Sequence, residues 1–258
     1  MKVQLLKSAL ALGLASLFST SAMADNNEYM EYKLDSKVYR IPASQSENIE
    51  TIIELIESGN SVDEYNVSER LVLEFEKEEA TIYVGGALKV HSTLTSGYVN
   101  DFDQAFSYTC PSNMFIKSIS SFHDNRTEDR RFNIVCAKYK AGNDRMYRKT
   151  TKWSGYVNSY DTAFNYSCPN GGFLAGITSR HNNGTEDRQF SFSCANMATS
   201  RSGASLTPES CNVTPLSSYD QAWNLGSNGA LIGYASQHHN HYEDRRTQVS
   251  YCNSVSDW

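Results

Sequence analysis

The sequence predicts an all-β, disulfide-bonded domain of three repeats, packed as a pseudo-threefold trefoil or prism and preceded by a small α+β domain. Three observations carry this. One phrase is written three times: "SSFHDNRTEDRRF" from Ser120, "TSRHNNGTEDRQF" from Thr178 and "ASQHHNHYEDRRT" from Ala235. Two pairs of cysteines share one spacing, Cys110 to Cys136 and Cys168 to Cys194, 26 residues each. Short alternating runs separated by Asn- and Gly-containing turns recur through the second half of the chain, as strands joined by hairpins do.

Residues 1–24 read as a signal peptide. Lys2 and Lys7 form a basic start, Ala9 to Phe18 is an apolar run too short to span a bilayer, and Ala22-Met23-Ala24 offers a small-x-small cleavage site. No other stretch approaches the ~20 apolar residues of a membrane span. The expected mature chain, from Asp25, is therefore soluble and exported, either secreted or periplasmic, and its six cysteines suit an oxidising compartment.

Charge divides that chain. Residues 25–95 hold 15 Asp and Glu against 6 Lys and Arg; residues 96–258 hold 14 against 15. Neither part carries a basic stripe, so nucleic acid is excluded as a partner. The acidic part contains one clear helix: Ser44 and Glu47 form a capping-box pattern, Ile49, Ile52, Ile53 and Ile56 follow at helical spacing, and Gly59 supplies the stop. Leu71, Leu73 and Phe75 then alternate, and Thr81 to Val84 reads as a return strand. No catalytic motif occurs in this unit of residues 25–95.

The remainder, residues 96–258, divides into repeats at 96–140, 154–196 and 211–253. "SGYVNDFDQAFSYTCP" from Ser96, "SGYVNSYDTAFNYSCP" from Ser154 and the altered "SSYDQAWNLGS" from Ser217 open the copies. Each continues through an apolar run and the Glu-Asp-Arg phrase to a strand that closes on cysteine. Equal spacing in equivalent units implies equivalent bridges, Cys110–Cys136 and Cys168–Cys194. The third copy has Ser227 in place of its opening cysteine, which leaves Cys211 for Cys252.

The repeated phrase has two compatible readings. As scaffold, Asn supports the turn, and an Arg held by a carboxylate and by turn carbonyls pins the hairpin to the next repeat. As a site, each turn presents planar donors and acceptors beside an aromatic wall, as sugars require. The residues of that reading are His123, Asn125, Glu128 and Arg130, then His181, Asn183, Glu186 and Arg188, then His238, Asn240, Glu243 and Arg245. Three weak equivalent sites would gain strength by avidity on a dense glycan. No metal or other cofactor is expected, since His spacings of the zinc type and calcium-loop acid sets are absent. Nucleophile elbows and zinc-protease motifs are also missing, so the chain is not expected to be an enzyme. In the slots before each bridge, Phe106, Phe164 and Trp223 read as core. Phe102, Tyr160 and Tyr219, each followed by Asp, fit either core or a binding wall.

Together "GYVNDFDQAFSYTCP", the Ser-x-His-x-Asn-x-x-Glu-Asp-Arg phrase and the aromatic strand closing at cysteine resemble the dermatopontin family, over Ser96 to about Asn253. The resemblance implies a secreted, Tyr-rich, non-catalytic protein that binds proteoglycan-like polysaccharide, other glycans or matrix proteins, with agglutinins among the invertebrate members. Lectin-like binding is the expected function; a structural matrix component assembling through protein contacts, or a secreted agglutinin or toxin, is the alternative. The oligomeric state stays open. Residues 25–95 lie outside the resemblance. Thr247 stands where Phe132 and Phe190 do, which would weaken a third site if that aromatic were a binding wall.

Overall fold

The computed structural model describes residues 29–71, 86–199, 203 and 205–256. The expected signal segment, and the expected strand residues Leu73, Phe75 and Thr81 to Val84, lie outside them. The described residues form β1 (Tyr29–Leu34), β2 (Lys37–Pro42), α1 (Ile49–Ser58), β3 (Ser68–Leu71), β4 (Leu88–Tyr98), β5 (Phe106–Thr109), β6 (Phe115–Asp124), β7 (Asp129–Ala141), β8 (Asp144–Arg148), β9 (Lys152–Tyr156), β10 (Phe164–Ser167), β11 (Phe173–Asn182), β12 (Asp187–Ala195), β13 (Met197–Thr199), β14 (Thr207–Val213), β15 (Trp223–Gly226), β16 (Ala230–His239) and β17 (Asp244–Ser256).

One four-strand pattern recurs. A hairpin, β6/β7, β11/β12 or β16/β17, has an opening strand on its second arm, respectively β4, β9 or β14. Its first arm is completed by a short strand from elsewhere in the chain: β15 for β6, β5 for β11, β10 for β16. The loans run in a cycle, each hairpin lending a strand to the next. Space at these junctions is tight, and each needs one glycine. A Cβ on Gly176 would lie 2.9 Å from Tyr108 O, and one on Gly233 2.8 Å from Tyr166 O. In the remaining junction the glycine changes sides: Gly226 faces Ser118, whose Cβ would be 2.4 Å away.

Residues 29–42 join this architecture directly. β1 pairs with β4 from Glu31↔Thr95 to Leu34↔Ser92, so one sheet runs across the charge boundary near residue 95. Tyr32, Ile41, Ile52 and Ile56 are buried in the same cluster as Leu94, Ile134, Phe190 and Tyr234. The polar contacts agree: Glu57 accepts from Tyr32 Oη and from Lys138 Nζ, the latter at 2.6 Å. Helix α1 buries Ile52, Ile53 and Ile56 and ends at Gly59 (φ 74°), whose N–H bonds Ile56 O and Leu55 O. Ala43–Asn48 forms a 3-10 turn ahead of it without side-chain capping, so Ser44 and Glu47 do not act as a capping box; Asn48 bonds Gln45 instead.

The disulfides are Cys110–Cys136, Cys168–Cys194 and Cys211–Cys252. Phe132 and Phe190 are 1% exposed, and both are core rather than binding wall. Thr247 in the same slot is also buried, and the lost volume is made up by Tyr234, which stands where Ile119 and Ile177 do and meets Thr247 Oγ1 at 3.3 Å. An Ile–Phe pair has been exchanged for Tyr–Thr with its hydroxyls paired, which keeps the core filled.

Candidate functional site

The Glu-Asp-Arg phrase closes each turn at the start of β7, β12 and β17. Its Glu residues, Glu128, Glu186 and Glu243, take left-handed backbone (φ 46°, 42° and 43°), which turns the chain so that the following Asp and Arg both point inward. These Asp and Arg do not pair within a hairpin. Arg130 grips Asp244 through Nε and Nη2, both at 2.6 Å; Arg188 grips Asp129 at the same two distances; Arg245 grips Asp187 at 2.6 and 2.8 Å. Each hairpin therefore offers its Arg to one neighbour and its Asp to the other, and the three forks close a ring.

The ring is built out at every station. The arginines also donate to loop carbonyls, Gln221 O, Gln104 O and Thr162 O, at 3.0–3.1 Å. They lie over Trp223, Phe106 and Phe164, with guanidinium carbons 5.6–6.0 Å from the ring centres. The aspartates accept in addition from the backbone N–H of Asp220, Asp103 and Asp161 at 2.7–2.8 Å. Those three loop aspartates have positive φ (54°, 61° and 59°), as the hook of the loop around the carboxylate requires. Bidentate, charge-assisted and out of water, such pairs hold geometry strictly. Asp187 is held at about 2: burial opposes its ionisation, but His238 and Arg245 outweigh it. Asp244 is depressed likewise against burial, through His123 and Arg130.

The histidines of the phrase sit between the ring and the loops. Their side chains are at most 1% exposed. His123 Nδ1 lies 3.4 Å from Asp244, and its Nε2 faces Glu128 at 3.6 Å and Asp220 at 3.7 Å. His238 repeats this arrangement, with Asp187 at 3.1 Å on Nδ1, and Glu243 at 3.5 Å and Asp161 at 3.7 Å on Nε2. The His181 ring is turned over: Nδ1 faces Asp103 at 3.4 Å, while Nε2 faces Glu186 at 3.7 Å and Asp129 at 3.8 Å. Burial pulls the His238 pKa down, yet Asp187 carries it above the ordinary value. Glu186 is raised by burial and by the charges of Asp103, Asp129 and Glu128, with His181 opposing.

The twelve residues expected in a polar cluster thus fall into three layers. His123, His181, His238, Arg130, Arg188 and Arg245 are internal; Glu128, Glu186 and Glu243 are about a third exposed; Asn125, Asn183 and Asn240 are exposed at the turn tips. Only Asn183 reaches its histidine, 3.2 Å from His181 Nδ1. The Asp residues of both sets were not singled out from sequence, although Asp after Phe102, Tyr160 and Tyr219 was a visible signal. Those aromatics are half-buried beside the turns. Phe102 packs on Phe122, with ring centres 6.3 Å apart, and Tyr219 stacks on Tyr242 at 4.7 Å.

A larger concavity lies along the outer side of β6. It measures about 630 Å3. Tyr29 and Phe122, 42% and 46% exposed, line it together with Tyr98 and Trp223. Asn133, Asn224, Glu31 and Arg40 supply planar polar groups along it, and Arg40 Nε bonds Glu31 at 3.3 Å. The corresponding groove along β16 has about 400 Å3 and carries Gln237 where Phe122 stands.

The family model described as Dermatopontin matches residues 85–148 and 100–256, well over half of the sequence. The chain belongs to the dermatopontin family. Among its relatives, Millepora cytotoxin-1 of Millepora dichotoma is 38% identical over 158 residues, 60% of this chain and 65% of that protein. The Hemagglutinin/amebocyte aggregation factor of Limulus polyphemus is 42% identical over 105 residues, 41% of this chain and 60% of the relative. Dermatopontin of Biomphalaria glabrata is 30% identical over 155 residues, 60% of this chain and 99% of the relative. This dermatopontin-family chain therefore spans less than two thirds of the length of the first two. No solved structure matches it. The groove's Tyr29, Glu31 and Arg40 come from residues that precede the family match.

Proposed function

We propose that this chain is an exported, non-catalytic adhesion protein that binds carbohydrate in a lectin-like manner, and that three repeats locked in a ring, preceded by an acidic α+β segment, hold its binding surface rigid. The groove along β6 carries the reading. Its exposed aromatic faces suit the apolar faces of pyranose rings, and its carboxamide, carboxylate and guanidinium groups suit their hydroxyls. The turn tips at Asn125, Asn183 and Asn240 are a secondary, weaker contact set, presented by the ionic ring beneath them. Two relatives, one named as a hemagglutinin/amebocyte aggregation factor and one as a cytotoxin, favour attachment to surfaces.

A glycan array probed with the mature chain tests this. Binding is expected, and Phe122→Ala is expected to weaken it by roughly tenfold, the equivalent of one stacked ring at ~1.4 kcal/mol, with the melting temperature unchanged. Array profiles of Phe122→Ala and Tyr29→Ala/Phe122→Ala both unchanged from that of the unaltered chain would reject the groove. Self-association without glycan binding would favour a structural matrix component instead.

A further inference from the structure

We propose that the His–Glu–Asp clusters between adjacent hairpins are divalent transition-metal sites, with zinc the ion they fit best. Each centres on a His that lies between a loop Asp and a ring Asp, their ligand atoms within 4.8 Å of one another, with the Glu of the same turn facing the His: His123, Asp220 and Asp244 with Glu128; His238, Asp161 and Asp187 with Glu243; His181, Asp103 and Asp129 with Glu186. A metal here staples the same junctions that the Arg–Asp forks hold.

Four observations carry the assignment. First, Nε2 of His123, His181 and His238, and Oδ1 of Asp103 and Asp220, are buried with no hydrogen-bond partner. Groups of this kind almost always have one. Second, the Nε2 distances of His123 and His238 to their Glu and loop Asp, 3.5–3.7 Å, exceed the ~2.7–3.2 Å of a well-formed hydrogen bond and fall short of a bridging water, which sets its partners roughly 4.5 Å apart. Metal–ligand bonds of roughly 2.0–2.2 Å at a tetrahedral angle set ligand atoms about 3.4 Å apart. Third, Nδ1 of His123 and of His238 faces a carboxylate that an Arg already fixes, Asp244 or Asp187. This is the carboxylate–histidine–metal relay that orients an imidazole and raises its basicity. Fourth, the charge balance admits a dication: in each cluster three carboxylates face one guanidinium.

One imidazole with carboxylates selects zinc or a similar ion over calcium, which takes oxygen ligands alone. The loop Asp and the Glu are 28–41% exposed, which leaves an entry path. At the His181 cluster, a ring flip is needed to bring Nε2 onto Asp103 and Glu186 together.

The test uses the mature chain carrying His239→Gln and His241→Gln, so that the exposed histidines of the third turn contribute nothing. Stripped with chelator, it is titrated with ZnCl2 by calorimetry and assayed for bound metal after dialysis. Two or three equivalents per chain, with a rise in melting temperature, are expected. Asp161→Asn and Asp220→Asn should each remove one equivalent; Asn keeps the left-handed backbone and the loop hook, so folding is retained. One equivalent or none in the parent chain, undiminished stoichiometry in the Asn variants, or displacement of zinc by calcium at equal concentration would overturn the assignment. Glycan binding is read separately on the array and does not bear on the outcome.

Discussion

At the scale of single residues, the Arg–Asp forks respond differently to the loss of one partner and to the loss of both. Asp129 and Arg188 are 3% and 4% exposed. Removing the carboxylate strands a guanidinium whose Nε and Nη2 both pointed at it, and a buried charge without its partner typically costs 3–5 kcal/mol. Asp129→Ala is therefore expected to lower the free energy of unfolding in urea by about 3–5 kcal/mol. Asp129→Ala/Arg188→Met, which removes both charges, should recover most of that loss. Glu128→Gln, one residue away but a third exposed, should change stability by less than about 1 kcal/mol in the presence of chelator. An equal loss for Glu128→Gln and Asp129→Ala would mean that the phrase works as an undivided cluster, not as an inner ring with an outer carboxylate. The sequence showed an acid and an Arg side by side three times, and showed that alternation would separate the two acids. It did not show which repeat supplies the partner, because the forks join residues 58–114 positions apart in the chain.

At the scale of elements, the disulfides separate loop entropy from packing. The Cys211–Cys252 bridge closes 41 residues and the Cys110–Cys136 bridge 26, so chain entropy gives the longer loop a slight advantage, each bridge contributing about 3–4 kcal/mol. Burial reverses the order. Cys110 and Cys136 are both within the core at 1% exposure or less, whereas Cys211 is exposed at the surface of β14. Cys110→Ala/Cys136→Ala removes two core sulfurs as well as the link, and should be the more destabilising pair by about 1–2 kcal/mol. Matching losses in denaturant titrations would show that the unfolded chain alone decides. Bridge positions were legible because the 26-residue interval repeats, and α1 was legible because Ile49, Ile52, Ile53 and Ile56 share one face. The loaned strands β5, β10 and β15 were not. Each is four residues long, and its partner lies in a different repeat, so neither periodicity nor turn chemistry announces it. Nor did the Ser44–Glu47 pattern yield a cap, since the chain enters the helix through a 3-10 turn that already engages those residues.

At the scale of the whole molecule, the decisive fact is that β4 belongs to two systems. It is the opening strand for hairpin β6/β7 and the partner of β1, with Leu94 fully buried between them. Composition places a boundary near residue 95, because charge and cysteine content change there; hydrogen bonding does not stop there. Truncation at Ser96 cuts β4 after Thr95 and leaves Val135 to Ala141 of β7 without their neighbour. An unpaired, largely apolar edge of that kind invites aggregation. A chain beginning at Gly86 keeps all of β4 and loses only the outer sheet strands and α1. It should fold with the ionic ring intact, bind zinc with the stoichiometry of the chain beginning at Asp25, and melt at a lower temperature. It should also lose glycan affinity, because Tyr29, Glu31 and Arg40 leave the groove. The chain beginning at Ser96 should be insoluble or lack a cooperative melting transition. If instead the Ser96 chain is soluble, melts cooperatively and binds the same glycans as the chain beginning at Asp25, then β4 is dispensable to the hairpin, the leading segment plays no part in recognition, and ligands are held at the turn tips instead of the groove.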